Sequence, residues 1–537
     1  MKKLILISFL TGFALMNAQT ELVFVFFKDK PNKAAFYANP LSELSQKSLD
    51  RRANLGIALN DQDAPIEPSY IQNVKDLGFT VSDYSKWLNG VAVNATASEI
   101  TLLESQPYVQ SVETFVKDPS GGKAKTAKNK FEKFNQELGG KTSFNYGNAE
   151  AQIQQINLKT LHEQGFTGEG ITIAVLDTGF PTVNTGNAYA RMRSLGKIKG
   201  GYNFISKNND LYNTGFNGHG AVCLGTIAGY LEGEFVGSAP DADFYLYVTE
   251  HGDLEIPEEE LYWIEGAEDA DRKGVDLISA SLGYGDFFDD TRYNFTYSDM
   301  TGNRSFVARG AQIAAEKGII VMAAAGNEGG DTWHYILTPA DNEKVFSVGA
   351  VTESGNSSNF SSFGPNYLGV PKPDASARGT YTATVYNNST TWASGTSLST
   401  PLAAGGVACL LQAVPKNLNR ESVKNLMRQT SSLSPNHDDQ MGYGILNFGK
   451  AYSEFLAISE NAQNSTFRLY PNPNKGEFFV EAKTAAPIKI YDMTGKIIYS
   501  GNVTQGKNQI NLKAAAGTYI ISSDINGKKV SEKLIVK

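Results

Sequence analysis

The chain has 537 residues, and its 48 Lys and Arg stand against 56 Asp and Glu, which gives a formal net charge of −8. This length exceeds a single domain, since domains usually hold about 100–200 residues. The acidic balance argues against nucleic acid as a partner, and two cysteines are too few for a disulfide scaffold or a Cys-rich zinc site.

Residues 1–18 have the pattern of a secretory signal peptide. Lys2 and Lys3 precede an apolar run from Leu4 to Leu15, and the small residue Ala18 stands at the exit. The run is too short to span a bilayer, and no other stretch approaches the roughly 18 apolar residues that a span requires. We therefore expect a secreted protein with no transmembrane segment, and we leave its association with the cell surface open.

Residues 20–117 predict a small α+β domain. A strand-like run over 22–27 opens it, and an alternating stretch over 90–94 follows. Ser98 is predicted to be the N-cap of a helix over 98–105, and residues 109–116 form another strand. Residues 118–150 are predicted to be a linker, whose Lys- and Gly-rich first part should be exposed and easily cut.

Residues 151–455 alternate between strand and helix patterns. This alternation predicts an α/β domain with a mainly parallel sheet and helices on both faces, in which catalytic groups lie at the carboxyl ends of strands. The predicted strands are 171–176, 244–248, 275–279, 319–324 and 345–351, and the predicted helices are 220–229, 258–273, 305–317, 401–412 and 422–430. After a linker over 456–466, short strands separated by turns predict a β-sandwich over 467–537.

Three segments of the α/β region carry side chains suited to catalysis. Asp177 ends a buried strand, His219 lies between glycines at the start of a helix, and Ser397 follows a glycine at the start of another helix. Each has a simpler explanation when taken alone: a turn cap, a surface loop residue and a helix N-cap.

Together these residues predict a nucleophilic mechanism. A serine hydroxyl is a weak nucleophile until an imidazole removes its proton, and the imidazole needs a carboxylate to fix its tautomer. The chain order Asp177, His219, Ser397 is that of subtilisin. Asn327 follows a further predicted strand, where its amide could face a tetrahedral oxyanion.

At this point the segment from about residue 152 to 452 resembles the catalytic domain of subtilisin-like serine proteases, the subtilases. The matching motifs stand in one order over some 300 residues: Asp177-Thr178-Gly179, Gly218-His219-Gly220, Ser281-Leu282-Gly283, Ala324-Ala325-Gly326-Asn327 and Gly395-Thr396-Ser397.

The resemblance implies roles for two further motifs. Ser281, Leu282 and Gly283 would pair with the substrate as an added antiparallel strand. Ala324, Ala325 and Gly326 would form the other side of the primary specificity pocket. The chemistry requires no cofactor; a structural calcium ion stays open, and the sequence assigns no metal ligands.

The two ends of the chain resemble accessory domains of such proteases. The segments 86–93 and 107–113 resemble the inhibitory propeptide of the family, which would make the protein a zymogen that its own propeptide blocks. Residues 469–473 and 490–496 resemble the C-terminal sorting domain of type IX secretion cargo, so the secretion machinery would be a partner. The alternative for this tail is a carbohydrate-binding or adhesive β module.

Two features allow more than one interpretation. The insertion over 284–303 is predicted to be a packed surface flap, with a wall of the substrate cleft or a calcium loop as the alternative. Cys223 and Cys409 lie in apolar helical surroundings, so two buried thiols are favoured over a disulfide.

The sequence therefore predicts a secreted serine endopeptidase that acts on protein or peptide substrates through an acyl-enzyme. An esterase or lipase would normally show Gly-x-Ser-x-Gly and a different order of the three residues. The remaining alternative is a catalytically silent binding protein on a subtilase scaffold.

Overall fold

The computed structural model describes residues 19–121, 144–215, 218–464, 467–525 and 528–537. The predicted signal peptide and most of the Lys-rich linker lie outside the described residues. The chain divides into two compact units, Met1–Tyr452 and Ser453–Lys537, and each is described by itself.

The N-terminal part of the first unit is a four-stranded antiparallel sheet with four helices. The strands have the order β2-β3-β1-β4, and β1 is buried over most of its length. Its elements are β1 (Glu21–Phe27), α1 (Lys33–Ala38), α2 (Gln46–Leu55), α3 (Pro68–Asp76), β2 (Asp83–Ser85), β3 (Gly90–Ala95), α4 (Ala97–Glu104) and β4 (Val109–Thr114).

The predicted N-cap of α4 is wrong. Thr96, not Ser98, caps this helix: its side chain accepts from the backbone N–H of Glu99, and the Glu99 carboxylate accepts from the N–H of Thr96 at 2.7 Å. This reciprocal pair is a capping box, which satisfies donors at both positions and places Ser98 inside the first turn.

The rest of the first unit is built around a seven-stranded sheet of order β13-β12-β11-β10-β5-β9-β6, in which every pairing is parallel. Its central strands are buried throughout, as parallel strands covered on both faces should be. The strands of this part are β5 (Thr172–Asp177), β6 (Ile198–Asn203), β7 (Tyr230–Leu231), β8 (Phe235–Val236), β9 (Asp243–Val248), β10 (Leu277–Ala280), β11 (Ile320–Ala324), β12 (Phe346–Val351), β13 (Ala375–Arg378), β14 (Thr382–Tyr386) and β15 (Ser389–Ala393).

The helices of this part lie in two layers. Ala174 and Leu176 of β5 share a hydrophobic core with residues of α9 and α10, so the alternate residues of that strand face the opposite layer. The predicted α/β fold with a mainly parallel sheet is confirmed. The helices are α5 (Glu150–Gln155), α6 (Lys159–Glu163), α7 (Ala190–Ser194), α8 (His219–Ala228), α9 (Glu258–Lys273), α10 (Phe306–Glu316), α11 (Thr396–Ala413), α12 (Arg420–Thr430) and α13 (Phe448–Asn464), the last of which crosses the boundary between the two units.

The N-terminal α+β part packs against α9 and α10. The rings of Phe115 and Phe306 stack with centroids 4.0 Å apart. Glu268 of α9 accepts hydrogen bonds from Ser85 Oγ and from the backbone N–H groups of Lys86 and Trp87. The two parts therefore share both an apolar contact and buried hydrogen bonds.

The structure describes the two ends of the predicted linker, and both ends contact the α/β part. The N–H groups of Lys117 and Asp118 donate to the carbonyl of Arg292, at 2.8 and 3.0 Å. Tyr146 is buried, and its hydroxyl lies 2.8 Å from Nδ1 of His162. The exact domain boundaries stay predictions.

The second unit contains two antiparallel sheets with the orders β16-β17-β20 and β19-β18-β21-β22. Both contribute to one hydrophobic core, with Phe478 and Val480 from the first and Ile488, Ile521 and Leu534 from the second. Two sheets around one core are the predicted sandwich. The strands are β16 (Phe467–Tyr470), β17 (Glu477–Ala482), β18 (Ala486–Tyr491), β19 (Ile497–Val503), β20 (Gly506–Asn511), β21 (Gly517–Ile525) and β22 (Lys528–Val536). Among the described residues, no helix combines the length and the apolar character needed to cross a bilayer.

Candidate active site

Asp177 and His219 form a buried pair at the carboxyl edge of the parallel sheet. Asp177 is the last residue of β5, and His219 is the first residue of α8. Nδ1 of His219 lies 2.7 Å from Oδ1 of Asp177, whose residue is fully buried. Because a carboxylate accepts hydrogen bonds, this contact favours the neutral tautomer with the proton on Nδ1, in which Nε2 has the lone pair that a general base requires.

This pair depends on a close approach between α8 and the end of β5. A Cβ atom at Gly220 would lie 2.4 Å from the carbonyl oxygen of Gly179 and 2.9 Å from Cβ of Asp177. Such distances do not occur for real side chains, so only glycine allows the helix to start this close to the carboxylate.

Ser397 lies in the first turn of α11, which begins at Thr396 and not at residue 401 as predicted. Pro401 is therefore inside the helix, where it lacks the N–H that would bond to the carbonyl of Ser397. That carbonyl instead accepts from Oγ of Ser281 at 3.0 Å and from Sγ of Cys223 at 3.3 Å. Two side chains thus replace the N–H donor that Pro401 lacks, and they hold the start of the helix next to β10 and α8.

The hydroxyl of Ser397 lies in the same cleft as the imidazole. His219 and Ser397 both line this cleft, and each is only 8% exposed. Ser397 Oγ is 3.5 Å from the carbonyl oxygen of Ser281. The three residues proposed from the sequence are therefore brought together at one edge of the sheet.

Asn327 follows β11 and is oriented by Thr396. Its Oδ1 accepts from the backbone N–H of Thr396 at 2.8 Å and from the Thr396 hydroxyl at 3.0 Å. Since both contacts use the amide oxygen, the amide NH₂ is the group presented to the cleft. An oriented amide donor beside a helix N-terminus suits a site where negative charge develops. Thr396 was not identified from the sequence, where it is only the residue before Ser397.

The cleft has a volume of about 900 Å³, and most of the predicted substrate-binding residues line it. Ser281, Leu282 and Gly283 follow β10 on one side, and Ala324 and Gly326 lie on the other. Ala325 lies in the same segment but is fully buried: its N–H donates to Val348 and its carbonyl accepts from Leu337.

Gly326 adopts a backbone conformation that favours glycine. Its φ is +115°, and a Cβ atom there would lie 2.7 Å from both Cγ of Leu337 and Oγ of Ser362. This turn directs the chain from the end of β11 to Asn327.

The insertion over 284–303 is both packed and part of the cleft. Tyr284, Phe288 and Phe295 are buried in the core, whereas Asp286 and Phe287 line the cleft. The flap interpretation is therefore incomplete, because this segment forms a wall of the cavity.

Both cysteines are free and buried. Sγ of Cys223 lies 3.8 Å from both ring nitrogens of His219, which the sequence analysis did not predict. Burial, with a smaller effect of Asp177, raises the pKa of the Cys223 thiol well above its usual value. The group is therefore a thiol at neutral pH and packs against the imidazole without a charge.

Two sets of side chains in the described part of the chain bring atoms that could ligate a metal within 4.8 Å of one another: Asp177 with His219 and Cys223, and Glu250 with Glu255 and Glu259. The first set is the contact just described. In the second, Glu259 also accepts from the N–H groups of His251 and Ile256. The carboxylate oxygens of this second set are the ligand type that calcium prefers.

Three family models match consecutive parts of the chain. The model of the Subtilase family matches residues 168–444, the model of the Peptidase S8 propeptide domain of Bacteroidota matches residues 22–133, and the model of the Secretion system C-terminal sorting domain matches residues 468–537. These matches favour a sorting function of the tail over a carbohydrate-binding module.

Relatives among characterised proteins agree with the Subtilase match, and a solved structure agrees with the fold. The chain is 31% identical to Serine protease AprX of Bacillus subtilis strain 168 over 315 residues, which are 53% of this chain and 66% of AprX. It is 31% identical to Subtilisin DY of Bacillus licheniformis over 294 residues, which are 54% of this chain and 93% of that protein. The Epidermin Leader Peptide Processing Serine Protease of Staphylococcus aureus superposes with a TM-score of 0.55 at 17% identity, covering 81% of this chain and 98% of that one, which supports the fold.

Proposed function

Because this chain belongs to the subtilase family, we propose that Asp177, His219 and Ser397 hydrolyse peptide bonds through an acyl-enzyme. The protein is a secreted serine endopeptidase with an intramolecular propeptide and a C-terminal secretion sorting domain. What we propose beyond that is the identity of the reacting residues and the order of the steps.

In the first step, Oγ of Ser397 attacks the carbonyl carbon of the substrate while Nε2 of His219 takes the hydroxyl proton. Asp177 holds the imidazole in the required tautomer and stabilises its charged form. The Asn327 amide and the backbone N–H of Ser397 stabilise the oxyanion. His219 then gives its proton to the leaving amine, and water releases the acyl group by the reverse sequence.

One observation supports this mechanism most directly. The Nδ1 atom of His219 lies 2.7 Å from the Asp177 carboxylate, and both His219 and Ser397 face one cleft. A silent scaffold would have no need to keep a buried carboxylate aligned with an imidazole beside a serine.

The proposal includes inhibition by the N-terminal α+β part and recognition of the tail by the type IX secretion machinery. It requires no cofactor for the chemistry. A structural calcium ion stays a prediction, and so do protein and peptide substrates of unspecified sequence.

The test is the variant Ser397→Ala. We expect a loss of kcat of about 10⁶-fold, the size of effect known for a serine nucleophile of this kind. Casein hydrolysis by the processed protein is the measurement, together with labelling by a serine-directed phosphonate. If maturation is autocatalytic, the Ser397→Ala precursor also stays uncut.

The matched control is Ser399→Ala in the same helix. Ser399 is buried, and its hydroxyl only donates to the carbonyl of Thr396 at 3.1 Å, so its loss should leave kcat within a few-fold. A processed protein with no hydrolysis and no labelling at Ser397 would favour the silent scaffold instead. Hydrolysis of esters without hydrolysis of casein would favour the esterase alternative.

A further inference from the structure

We propose that the cleft selects peptides with lysine or arginine upstream of the scissile bond, through a carboxylate wall formed by Asp253, Asp286 and Asp289. This inference deepens the proposed function and rests on it, because it names the substrate class of the same site.

The cleft lining is one-sided in charge. Seven of the described residues that line it are Asp or Glu, and none is Lys or Arg. The whole segment over 142–466 is acidic as well, with 20 basic and 36 acidic residues. A cleft lined by one sign of charge concentrates ligands of the opposite sign.

The three aspartates belong to two loops that form a single surface. The N–H of Asp289 donates to the carbonyl of Glu255 at 2.9 Å, and the N–H of Glu255 donates to Oδ2 of Asp289 at 3.4 Å. The loop after β9 is thereby attached to the insertion after β10. Asp253 is exposed at its edge, and Asp286 and Asp289 are partly exposed.

The position of this wall relative to the scissile bond follows from strand direction. Ser281 contacts Ser397, and the chain then runs through Gly283 away from the nucleophile to Asp286. A substrate paired antiparallel to residues 281–283 runs in the opposite direction and reaches Ser397 last. The carboxylate wall therefore faces substrate residues that precede the scissile bond.

The described N-terminal part ends beside the insertion that contributes to this wall. The last described residue of the N-terminal part, Gly121, lies against the insertion, since a Cβ atom there would be 2.8 Å from the backbone nitrogen of Arg292. The adjacent Thr291 lines the cleft. The sequence that follows, residues 122–141, has six lysines and two glutamates. The chain therefore continues from a residue beside the insertion into a cationic sequence.

Several carboxylates should attract a substrate lysine or arginine through the sum of their electrostatic interactions, each of which is screened by solvent and salt. Single exposed ion pairs are weak, so we expect a preference of about 10-fold to 100-fold in kcat/KM from three of them, falling as salt screens the charges. The rings of Phe287 and Trp333 in the same lining can contact the methylene stems of lysine or arginine.

The experiment uses the processed enzyme, made from the full chain, and pairs of fluorogenic peptides. The members of a pair differ only in lysine or glutamine at one of the residues before the scissile bond, and kcat/KM is measured at low and high ionic strength. We expect the lysine peptides to be preferred at low salt and the preference to shrink at high salt. Equal kcat/KM for all pairs overturns the inference and leaves the proposed function standing, whereas no hydrolysis of any peptide or of casein overturns the proposed function.

Variants assign the preference to the wall. The variant Asp253→Asn/Asp286→Asn/Asp289→Asn should lose most of the lysine preference through a lower kcat/KM for the lysine peptides, and circular dichroism reports whether it folds. If the triple variant does not fold, Asp253→Asn, which changes an exposed residue alone, should lower the preference about threefold. Glu343→Gln, an exposed acid outside the cleft, is the control. An unchanged preference in folded wall variants overturns the assignment.

Discussion

Cys223 shows how the site is fixed at the scale of single residues. It lies one helical turn after His219, so its Sγ reaches both the imidazole ring and the carbonyl of Ser397. Asp177 holds the ring at Nδ1, and the thiol packs against the ring from the same helix. Two contacts therefore restrict the imidazole, and the thiol joins the His219 helix to the Ser397 helix.

Asn327 gives the residue-scale prediction. Thr396 holds only the oxygen of its amide, so Asn327→Ala removes the donor facing the cleft. We expect kcat to fall about 10²–10³-fold with little change in KM, because the donor acts on charge that develops in the transition state. This magnitude is taken over from the corresponding amide of subtilisin.

Steady-state kinetics of the processed enzyme on one peptide is the measurement for Asn327→Ala. The control is Thr396→Ser, which keeps both the N–H and a hydroxyl near the amide oxygen and should lower kcat only slightly. An Asn327→Ala enzyme with normal kcat would mean that the oxyanion is stabilised elsewhere.

The sequence predicts Asp177, His219, Asn327 and Ser397 as site residues, because each lies in a short motif whose order along the chain is distinctive. The structure places the last three along one cleft and Asp177 in contact with His219. The sequence did not identify Thr396 or Cys223 as parts of the site. Their roles depend on which helix start lies beside which strand end, and no spacing along the chain reports that. A cleft wall formed by the insertion was one of the predicted alternatives. The part of that wall contributed by Asp253 was missed for the same reason, since it forms only when two loops meet.

At the scale of elements, the contact between the N-terminal part and α9 contains an unusual charge group. Glu265 of α9 accepts from the N–H of Tyr84 at 3.1 Å and lies 3.2 Å from Nζ of Lys207, which also pairs with Asp83. Burial raises the pKa of Glu265 to about 8; the Asp83 carboxylate acts in the same direction, whereas Lys207 opposes it. Two carboxyl groups thus share one ammonium across the contact.

The element-scale prediction follows from this pKa. The folded protein binds the Glu265 proton more tightly than the unfolded chain, in which a glutamate has a pKa of about 4.3. The stability contributed by this proton is complete below that value and is lost as pH rises toward 8. We expect the free energy of unfolding of the Ser397→Ala precursor to fall over this range, by up to about 1.4 kcal/mol per pH unit.

Glu265→Gln should flatten this pH dependence, because glutamine does not titrate. Thermal unfolding of the Ser397→Ala precursor between pH 5 and pH 8.5, with and without Glu265→Gln, is the measurement. Glu343→Gln, at an exposed position outside the group formed by Glu265, Lys207 and Asp83, should keep the original slope. Equal slopes for both variants would show that another group causes the pH dependence.

Elements with strong apolar patterns were predictable and others were not. The strands β5 and β9–β12 lie within two residues of their predicted positions, because each is a nearly continuous apolar run. Edge strand β6 contains Lys199-Gly200-Gly201 and has no such pattern. Helix α2 was missed because its buried face carries Arg51 and Arg52, and the partner Asp271 lies far along the chain: Nη2 of Arg52 is 2.7 Å from its carboxylate.

At the scale of the whole molecule, charge divides the chain into parts. Residues 142–466 carry a net charge of −16 (20 basic, 36 acidic), and residues 467–537 carry +6 (11 basic, 5 acidic). The second unit also has a hydrophobic core of its own. A part with a core of its own can fold independently of the rest of the chain.

The last prediction is therefore that deletion of residues 467–537 leaves catalysis intact and prevents secretion. The proposed reacting residues all lie in the first unit, so kcat/KM of the processed truncated enzyme should stay within a few-fold of the value for the enzyme processed from the full chain. The sorting domain matched at residues 468–537 would be lost, so activity should accumulate inside the cell envelope.

Activity in cell fractions and in the medium is the measurement. Met493→Ala, at a 71% exposed residue of the tail, is a control that should leave secretion normal. Normal secretion of the truncated protein would contradict a sorting role for this unit, and loss of activity would show that the first unit depends on it.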